Sequence, residues 1–438
     1  MYHETSKLII YNNIPEESIL KQLSYIIREL EEGEISKATA IARIYEQIHN
    51  LLEIATKYGF NHNLWQNYLT YLLITTETPF SISAEKKGAL DGSINVFALQ
   101  EFKRFIKLFH FDFSKVEERL GINCFETITN YESVPKVETS YNKNVSEKVV
   151  ELSNQLAKAE TPEEFYQIVT KFYQEYGVGM LGLNKAFRVD RKDGDVVLVP
   201  ITNTEIVRFD HIVGYEMQKK KLMDNTEAFL AGKKANNVLM FGDAGTGKST
   251  SIKALLNEYY EEGLRIIEIY KHQFEDLSKV IAMIKNRNYK FIIYMDDLSF
   301  EEFEIEYKYL KAVIEGGLEI KPNNVLIYAT SNRRHLIRET WNDREDVRAE
   351  ELHHSDTVQE KLSLVARFGV TIHFGKPNKK QFNEIVVNIA RRYPEITLTE
   401  EELQMEANKW ELSHGGMSGR SAEQFVSYLI GQTLEKTK

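Results

Sequence analysis

The sequence of 438 residues lacks several features that mark specialised protein classes. It has one cysteine, Cys124, which excludes an internal disulfide and a cysteine-rich zinc site and suits a reducing compartment. Its 23 glycines and 8 prolines are too few for collagen-like sequence or long flexible linkers, and their scarcity favours helix. No apolar run approaches the ~20 residues of a membrane span, and the N-terminus lacks the basic start of a signal peptide. We therefore expect a cytoplasmic protein with no membrane contact.

The charge balance argues against a basic coat for nucleic acid. Acidic residues outnumber basic ones, 65 to 55, which gives a formal net charge of −10. A local basic patch is still compatible with this balance. One candidate lies at 333–338, with three arginines and a histidine. This cluster could contact nucleic acid or a neighbouring subunit. A solvated surface explains it equally well. The segment 353–356 has two histidines but no further ligand nearby, so a solvated loop explains it better than a metal site.

The first 200 residues have the apolar periodicity of helices and few signals of chemistry. Thr161-Pro-Glu-Glu164 predicts a helix start, because it joins an N-cap, a first-turn proline and a capping-box glutamate. The aromatic stripe at 165–176 could form a groove for a partner, but core packing is the better explanation. Arg191-Lys-Asp-Gly194 predicts a turn between two short strands. We expect residues 1–200 to be a mainly α-helical N-terminal region that acts on a partner or substrate.

The second half of the sequence has a different pattern, in which apolar runs of strand length alternate with helical segments. The five runs are 237–241, 264–270, 291–295, 325–329 and 370–374. Nearly continuous apolar strands between helices are typical of a parallel sheet covered on both faces. After Pro377 the pattern is purely helical. The sequence thus predicts an α/β domain with a five-stranded parallel sheet at 205–376 and a helical lid at 377–438.

The strongest motif is Gly242-Asp-Ala-Gly-Thr-Gly-Lys248-Ser249, which matches G-x-x-x-x-G-K-[ST] between a predicted strand and a predicted helix. Glycines in such a P-loop let backbone N–H groups surround phosphate oxygens, and the helix N-terminus favours negative charge. We expect Lys248 to contact the β- and γ-phosphates of a nucleotide and Ser249 to bind Mg²⁺. A chance match in a glycine-rich turn is the alternative, and the flanking strand and helix argue against it.

Polar residues follow two later strands of the predicted sheet. Asp296 and Asp297 come after an apolar strand, at the edge where ligands of open α/β sheets bind. We expect Asp296 to hold Mg²⁺ through water and Asp297 to orient or deprotonate an attacking water. A solvated turn is the weaker alternative. The next strand ends at Asn332, which either positions the same water, with Thr330 or Ser331 nearby, or caps a following helix.

The order of these motifs resembles that of AAA+ ATPases from about residue 205 to residue 435. The chain is most similar to a bacterial group of AAA-like ATP-binding proteins of uncharacterised biological role, and this similarity reaches back into the N-terminal half. The stretches that carry the resemblance are 209–214, 296–300, 315–318, 329–335 and 415–420. The resemblance implies a P-loop sheet with a C-terminal lid, with ATP and Mg²⁺ as cofactors.

The resemblance also assigns roles to single residues. It implies an adenine pocket lined by Ile212, Val213 and Gly214. The implied phosphate-binding residues are Gly242, Asp243, Ala244, Gly245, Thr246, Gly247, Lys248, Ser249 and Thr250. Asn332 matches the first sensor, and Arg420 matches the lid arginine that contacts nucleotide in its own subunit. Arg367 matches the arginine sent to a neighbour's γ-phosphate, with a surface salt bridge as its alternative.

The activity implied by the resemblance is ATP hydrolysis at subunit interfaces of a homo-oligomer, with a ring of six as the implied form. Hydrolysis would remodel or load a macromolecular partner of unknown type, nucleic acid included. Many such ATPases have Glu where this chain has Asp297, so turnover could be slow, or Glu301 or Glu302 could assist. A nucleotide-dependent scaffold or switch with little turnover is therefore the main alternative. A P-loop kinase is a third, although kinases usually lack the Asn strand end and the Gly-Arg lid.

Overall fold

The structure is a computed structural model, which describes residues 1–88, 92–133, 143–300, 304–315, 322–333, 336, 364–414 and 416–435. The backbone divides into two compact units, Met1–Asn184 and Lys185–Lys438. Within the described residues, no helix is long and apolar enough to cross a membrane.

The first unit is helical, as predicted. Its helices are α1 (Tyr2–Thr5), α2 (Ile19–Glu32), α3 (Lys37–Tyr58), α4 (Leu64–Thr75), α5 (Pro79–Lys87), α6 (Ser93–Phe109), α7 (Ser114–Leu120), α8 (Cys124–Thr129), α9 (Lys143–Leu156), α10 (Pro162–Tyr176) and α11 (Met180–Leu183). The predicted start of α10 is confirmed, because the Thr161 side chain accepts the backbone N–H of Glu164 and Pro162 lies in the first turn. The predicted capping box is wrong, because the Glu164 carboxylate accepts the backbone N–H of Glu160 at 3.0 Å instead of that of Thr161.

Aromatic side chains fill the core of this unit. The largest fully buried ones include Trp65, Tyr11, Tyr173, Phe60, Phe80, Phe102, Phe105, Phe125 and Phe165. The stripe at 165–176 packs into this core, so the core-packing explanation is confirmed. The buried carboxylate of Glu101 in α6 accepts the backbone N–H groups of Ile9, Ile10 and Tyr11 at 2.6, 2.6 and 3.1 Å. These hydrogen bonds fix the N-terminal segment to α6.

The second unit is built on one sheet of seven strands. They are β1 (Ala186–Lys192), β2 (Asp195–Ile201), β3 (Val238–Gly242), β4 (Leu264–Glu268), β5 (Lys290–Met295), β6 (Val325–Ser331) and β7 (Val370–Phe374), in the spatial order β2-β1-β4-β5-β6-β3-β7. The strands from β3 to β7 pair in parallel, as predicted. The fold class is therefore confirmed.

The predicted number of five strands is wrong. The turn at 191–194 does join two strands, but that hairpin extends the sheet: β1 pairs antiparallel with β2 and parallel with β4. Ala186 lies opposite Ile266, far away in sequence, and a local pattern carries no information on such pairing. The hairpin accordingly falls in the second unit, although all of it except Ile201 lies within residues 1–200. The division at 205 and 377 stays a prediction.

Helices connect the strands and form the lid. They are α12 (Glu216–Leu230), α13 (Lys248–Tyr259), α14 (Leu277–Ile284), α15 (Glu306–Glu315), α16 (Lys379–Ala390), α17 (Glu400–Ser413) and α18 (Gly419–Glu435). The last three share an apolar core of their own, which includes Phe382, Val386, Ala407 and Phe425. Val213 packs against that core from outside the lid. The lid is thus attached to the segment that precedes α12.

Candidate nucleotide-binding site

The loop 242–248 connects β3 to α13 and requires glycine at defined positions. Gly242 has φ +136°, and a Cβ there would lie 2.1 Å from the carbonyl oxygen of Phe374. Gly245 has φ +72°, and its Cβ would crowd Arg420 and Ser418 of the lid at 3.1 Å. The contact at Gly242 excludes a side chain, the contact at Gly245 is tight, and both φ values favour glycine. The glycines therefore let the loop pass close to β7 on one side and to the lid on the other.

Lys248 begins α13 and is buried, with 6% of its surface exposed. Its Nζ donates to the carbonyl oxygens of Gly242 and Asp243 at 3.0 and 2.7 Å, and to Oδ1 of Asn332 at 3.0 Å. Burial lowers the pKa of Lys248 from its ordinary value, while the charges of Asp297, Asp243 and Asp296 oppose the shift. The lysine thus joins the loop to the end of β6.

The side chain of Asp296, just past β5, receives three hydroxyl groups. Its Oδ1 accepts from Ser249 Oγ at 2.8 Å, from Tyr294 Oη at 2.6 Å and from Thr330 Oγ1 at 2.6 Å. Burial opposes ionisation of this carboxyl, but the hydrogen bonds outweigh burial and lower the pKa of Asp296. Asp296 and Ser249 therefore lie on the same side of the sheet, although β6 separates β5 from β3.

Asp297 is held in a conformation that non-glycine residues seldom adopt, with φ +47°. Its backbone N–H donates to Thr330 Oγ1 at 2.9 Å, and its Oδ1 accepts from Asn332 Nδ2 at 2.7 Å. Because Asn332 Oδ1 also accepts from Lys248, one hydrogen-bonded row runs from Lys248 through Asn332 to Asp297. The amide of Asn332 faces these two residues. Ser331 accepts the N–H of Arg333 at 3.1 Å.

A cavity of about 1020 Å³ opens beside this row. Residues 244–250 line it together with Asp296, Asp297, Thr330 and Asn332, and further lining residues are Ile212, Val213, Ile385, Ile389, Arg420 and Glu423. Gly214 does not line the cavity: its φ of +75° makes the turn between Val213 and Tyr215. Gly242 and Asp243 contribute carbonyl oxygens to Lys248 instead. Such a mixture of apolar walls and convergent polar groups is typical of a ligand site.

The two arginines of the sequence prediction are placed differently. Arg420 lines the cavity, and its backbone N–H donates to the carbonyl oxygen of Gly245 at 3.4 Å. Arg367 lies outside the cavity, where its guanidinium is ion-paired with Glu315 at the end of α15. Other residues considered from the sequence lie outside the described part of the chain: Glu301, Glu302, Arg334, His335, Arg338, His353, His354 and Asp356.

Sequence reasoning missed Tyr294, which was counted only as an apolar strand residue. Residues at i and i+2 of a strand face the same side, so its position two before Asp296 carried the signal. Thr330 was expected near the attacking water. The structure places its hydroxyl between the Asp296 carboxylate and the Asp297 backbone.

The loop between β3 and α13, the acidic end of β5 and the lid beside the cavity form a P-loop α/β domain with a C-terminal helical lid. The chain belongs to the protein family described as "Protein of unknown function (DUF815)", which it matches over residues 183–433, more than half of its length.

The comparisons also include solved structures. One is the RuvB Holliday junction branch migration motor of Thermotoga maritima, at 17% identity and a TM-score of 0.35, covering 50% of this chain. The chain spans 63% of the length of that motor. A mutant RuvB from the same organism has 15% identity and a TM-score of 0.33, with 51% of this chain and 72% of that chain covered. No curated protein matches the chain.

Proposed function

We propose that this protein is an ATPase that binds Mg-ATP at the P-loop and couples its hydrolysis to remodelling or loading of a macromolecular partner. The observation that carries the proposal is the row Lys248–Asn332–Asp297 beside the Ser249–Asp296 pair, all of which line one cavity. One site would then combine a phosphate-binding loop, a cation site and a carboxylate that orients or deprotonates the attacking water. The second unit alone supplies these residues.

The donor set fits magnesium. Asp296 Oδ1 and Ser249 Oγ lie 2.8 Å apart, and carboxylate and hydroxyl oxygens are ligands that Mg²⁺ accepts beside water and phosphate. Mg²⁺, when bound there, would neutralise charge that develops on the phosphates. Lys248 would then exchange its loop carbonyl partners for phosphate oxygens, and the lid would bring Arg420 to the same phosphates.

Asp297 is the group proposed to orient or deprotonate the attacking water. Asn332 donates to its Oδ1 and Thr330 holds its backbone, so the carboxylate is fixed before substrate arrives. Fixed donors and acceptors need little reorganisation during the reaction. The aspartate is one methylene shorter than glutamate, which is why we expect slow turnover rather than none.

We further propose that turnover requires assembly into a homo-oligomer, six subunits being the form that the family resemblance suggests. Arg367 would leave Glu315 and reach a neighbour's nucleotide, and such an arginine typically contributes 10³–10⁵-fold in rate. The single cysteine is consistent with work in the cytoplasm. The helical first unit would contact the partner, nucleic acid among the candidates.

A nucleotide switch with little turnover is the second candidate. Two observations favour it: Asp297 stands where many AAA+ proteins have glutamate, and within one chain Arg367 is already neutralised by Glu315. In that case nucleotide binding and lid position, rather than hydrolysis, would control the partner.

Phosphate release measured over a series of protein concentrations separates the two candidates. The ATPase proposal expects release per chain to rise steeply with concentration and to fall at least ~10³-fold in Arg367→Ala. Arg391→Ala is the matched control, because Arg391 pairs with Glu400 on the lid, outside the cavity. Tight ATP binding without release at any concentration would instead support the switch. Transfer of a γ-phosphate label to an acceptor would support a kinase.

A further inference from the structure

The hydroxyl of Tyr294 is directed at the acid of the proposed magnesium site. Tyr294 lies in β5 two residues before Asp296, on the same face of the sheet. Its side chain is buried, with 8% exposed, and its Oη donates to Asp296 Oδ1 at 2.6 Å. The strand from Phe291 to Met295 is otherwise apolar. A hydroxyl in such a strand must find a partner, and here the partner is the carboxylate.

The neighbouring strand shows that a tyrosine at this level can satisfy its hydroxyl elsewhere. Tyr328 in β6 is in register with Tyr294 and belongs to the same apolar cluster. Its Oη lies 2.9 Å from Thr226 Oγ1 and accepts from Asn225 Nδ2 at 2.9 Å, both in α12. Tyr294 and Tyr328 are similarly buried, yet their hydroxyls bond to different partners. Of the two, only Tyr294 contacts Asp296.

The other two hydroxyls on Asp296 Oδ1 have additional contacts or roles. Ser249 is itself a proposed magnesium ligand, and Thr330 also accepts the backbone N–H of Asp297. A charge-assisted hydrogen bond from a rigid ring fixes the rotamer of the carboxylate that it contacts. Groups that orient a metal ligand in this way typically change metal affinity 10–100-fold when they are removed.

We propose that Tyr294 is a positioning residue that sets the magnesium affinity of the site by holding the Asp296 carboxylate. The inference rests on the proposed function. It predicts that loss of the hydroxyl weakens the response to Mg²⁺ and leaves metal-free nucleotide binding intact, because the P-loop amides and Lys248 do not depend on Tyr294.

The test compares full-length Tyr294→Phe and Tyr328→Phe with the unaltered chain. A fluorescent ATP analogue is titrated first in EDTA and then at rising Mg²⁺ concentrations, and thermal unfolding of each protein is recorded. For Tyr294→Phe we expect affinity in EDTA within about twofold of the unaltered chain. The Mg²⁺ concentration that gives half of the full enhancement should rise about tenfold. Tyr328→Phe should leave both values unchanged while it loses a comparable buried hydrogen bond.

Three outcomes would overturn the inference. An unchanged Mg²⁺ midpoint in Tyr294→Phe means that the hydroxyl does not act through Asp296. Equal weakening in EDTA and in Mg²⁺, with an unfolding temperature well below that of Tyr328→Phe, means that Tyr294 is only structural. Failure of the unaltered chain to bind the analogue at all is distinguishable from these, since it removes the proposed function and the inference together.

Discussion

Each unit of the protein holds a carboxylate with three hydrogen-bond donors, and the donors differ in kind. In the first unit Glu101 is 2% exposed and accepts three backbone N–H groups. In the second unit Asp296 accepts three side-chain hydroxyls and still borders an open cavity. Backbone donors belong to the fold itself, so Glu101 is part of the architecture. The side-chain donors of Asp296 leave it beside the cavity, where we propose that it holds Mg²⁺.

The same contrast holds for two buried lysines. Lys21 in α2 donates to the carbonyl oxygen of Asn12 at 3.1 Å and to Glu16 at 2.8 Å, which joins a helix to the chain before it. Lys248 instead joins a glycine-rich loop to a strand end beside the cavity. Burial alone therefore does not distinguish the two lysines, whereas the groups that each charge contacts do. This comparison can be tested.

The largest effect is expected from Lys248→Met. Loss of the charge that we propose contacts the phosphates should lower ATP affinity about 100-fold, the equivalent of about 3 kcal/mol. Lys248→Met also loses the three hydrogen bonds of its Nζ, so its free energy of unfolding should fall about as much as that of Lys21→Met, and ATP affinity is what separates the two variants. Lys21→Met, an equally buried lysine in the other unit, should lower the free energy of unfolding and leave ATP affinity unchanged. Calorimetric titration with ATP measures the affinity of both variants. Equal ATP affinity in Lys248→Met and Lys21→Met would contradict the contrast between the two lysines.

A smaller and opposite pattern is expected from Glu101→Gln. The neutral amide keeps the shape but loses the charge-assisted bonds to Ile9, Ile10 and Tyr11, so the free energy of unfolding should fall by about 1.5–3 kcal/mol. ATP affinity should not change. Glu118→Gln, on an exposed position of α7, is the control and should stay within about 0.5 kcal/mol of the unaltered chain. Denaturant unfolding followed by circular dichroism gives the comparison. A loss of ATP affinity in Glu101→Gln would show that the first unit is not independent of the site.

Local patterns predicted the part of the site that is local in sequence. The P-loop needs a strand, glycines and a helix start within a dozen residues, and all three stand in the sequence in order. The acids after β5 and Asn332 after β6 followed from a rule for parallel sheets, which brings the carboxyl ends of strands to one edge. The sequence therefore predicts that these side chains lie at one edge of the sheet, whereas the pairing of Lys248 with Asn332 and of Ser249 with Asp296 required the coordinates.

Contacts between distant segments were not predictable in this way. The pairing of β1 with β4 joins residues about 80 positions apart, and the local sequence of neither strand indicates which strand it pairs with. The pairing of Arg367 with Glu315 likewise depends on where α15 ends relative to the segment before β7. Tyr294 is an intermediate case. The alternation of a strand placed its side chain on the face of Asp296, while the hydrogen bond itself required the rotamer.

The smallest effect is expected from Glu423→Gln in the lid. It tests whether the Glu423 carboxylate, like Asp296, is not part of the protein's own architecture. Glu423 lies in α18, one turn after Arg420, and borders the cavity. Partial burial and the nearby charge of Glu205 raise the pKa of Glu423, against the attraction of Arg392, Lys253 and Arg420. A raised pKa means that the folded protein binds the proton of Glu423 more tightly than the unfolded chain does. Proton binding therefore stabilises the fold at low pH. This stabilisation is lost as the pH rises from the ordinary pKa of glutamate through the raised pKa of the folded protein.

Glu423→Gln imitates the protonated form, so it should unfold at a slightly higher temperature than the unaltered chain at pH 7. The difference in unfolding temperature should be about 1 °C or less, because solvent screens the repulsion between Glu423 and Glu205. This difference should vanish near pH 4. Glu401→Gln, on an exposed position of α17, is the matched control in the same lid and should show no such pH-dependent difference. Thermal unfolding from pH 4 to pH 8 measures both. A destabilised Glu423→Gln at pH 7 would mean that the carboxylate is held by its basic neighbours as Glu101 is held by amides, and the lid would then belong with the structural half of the comparison.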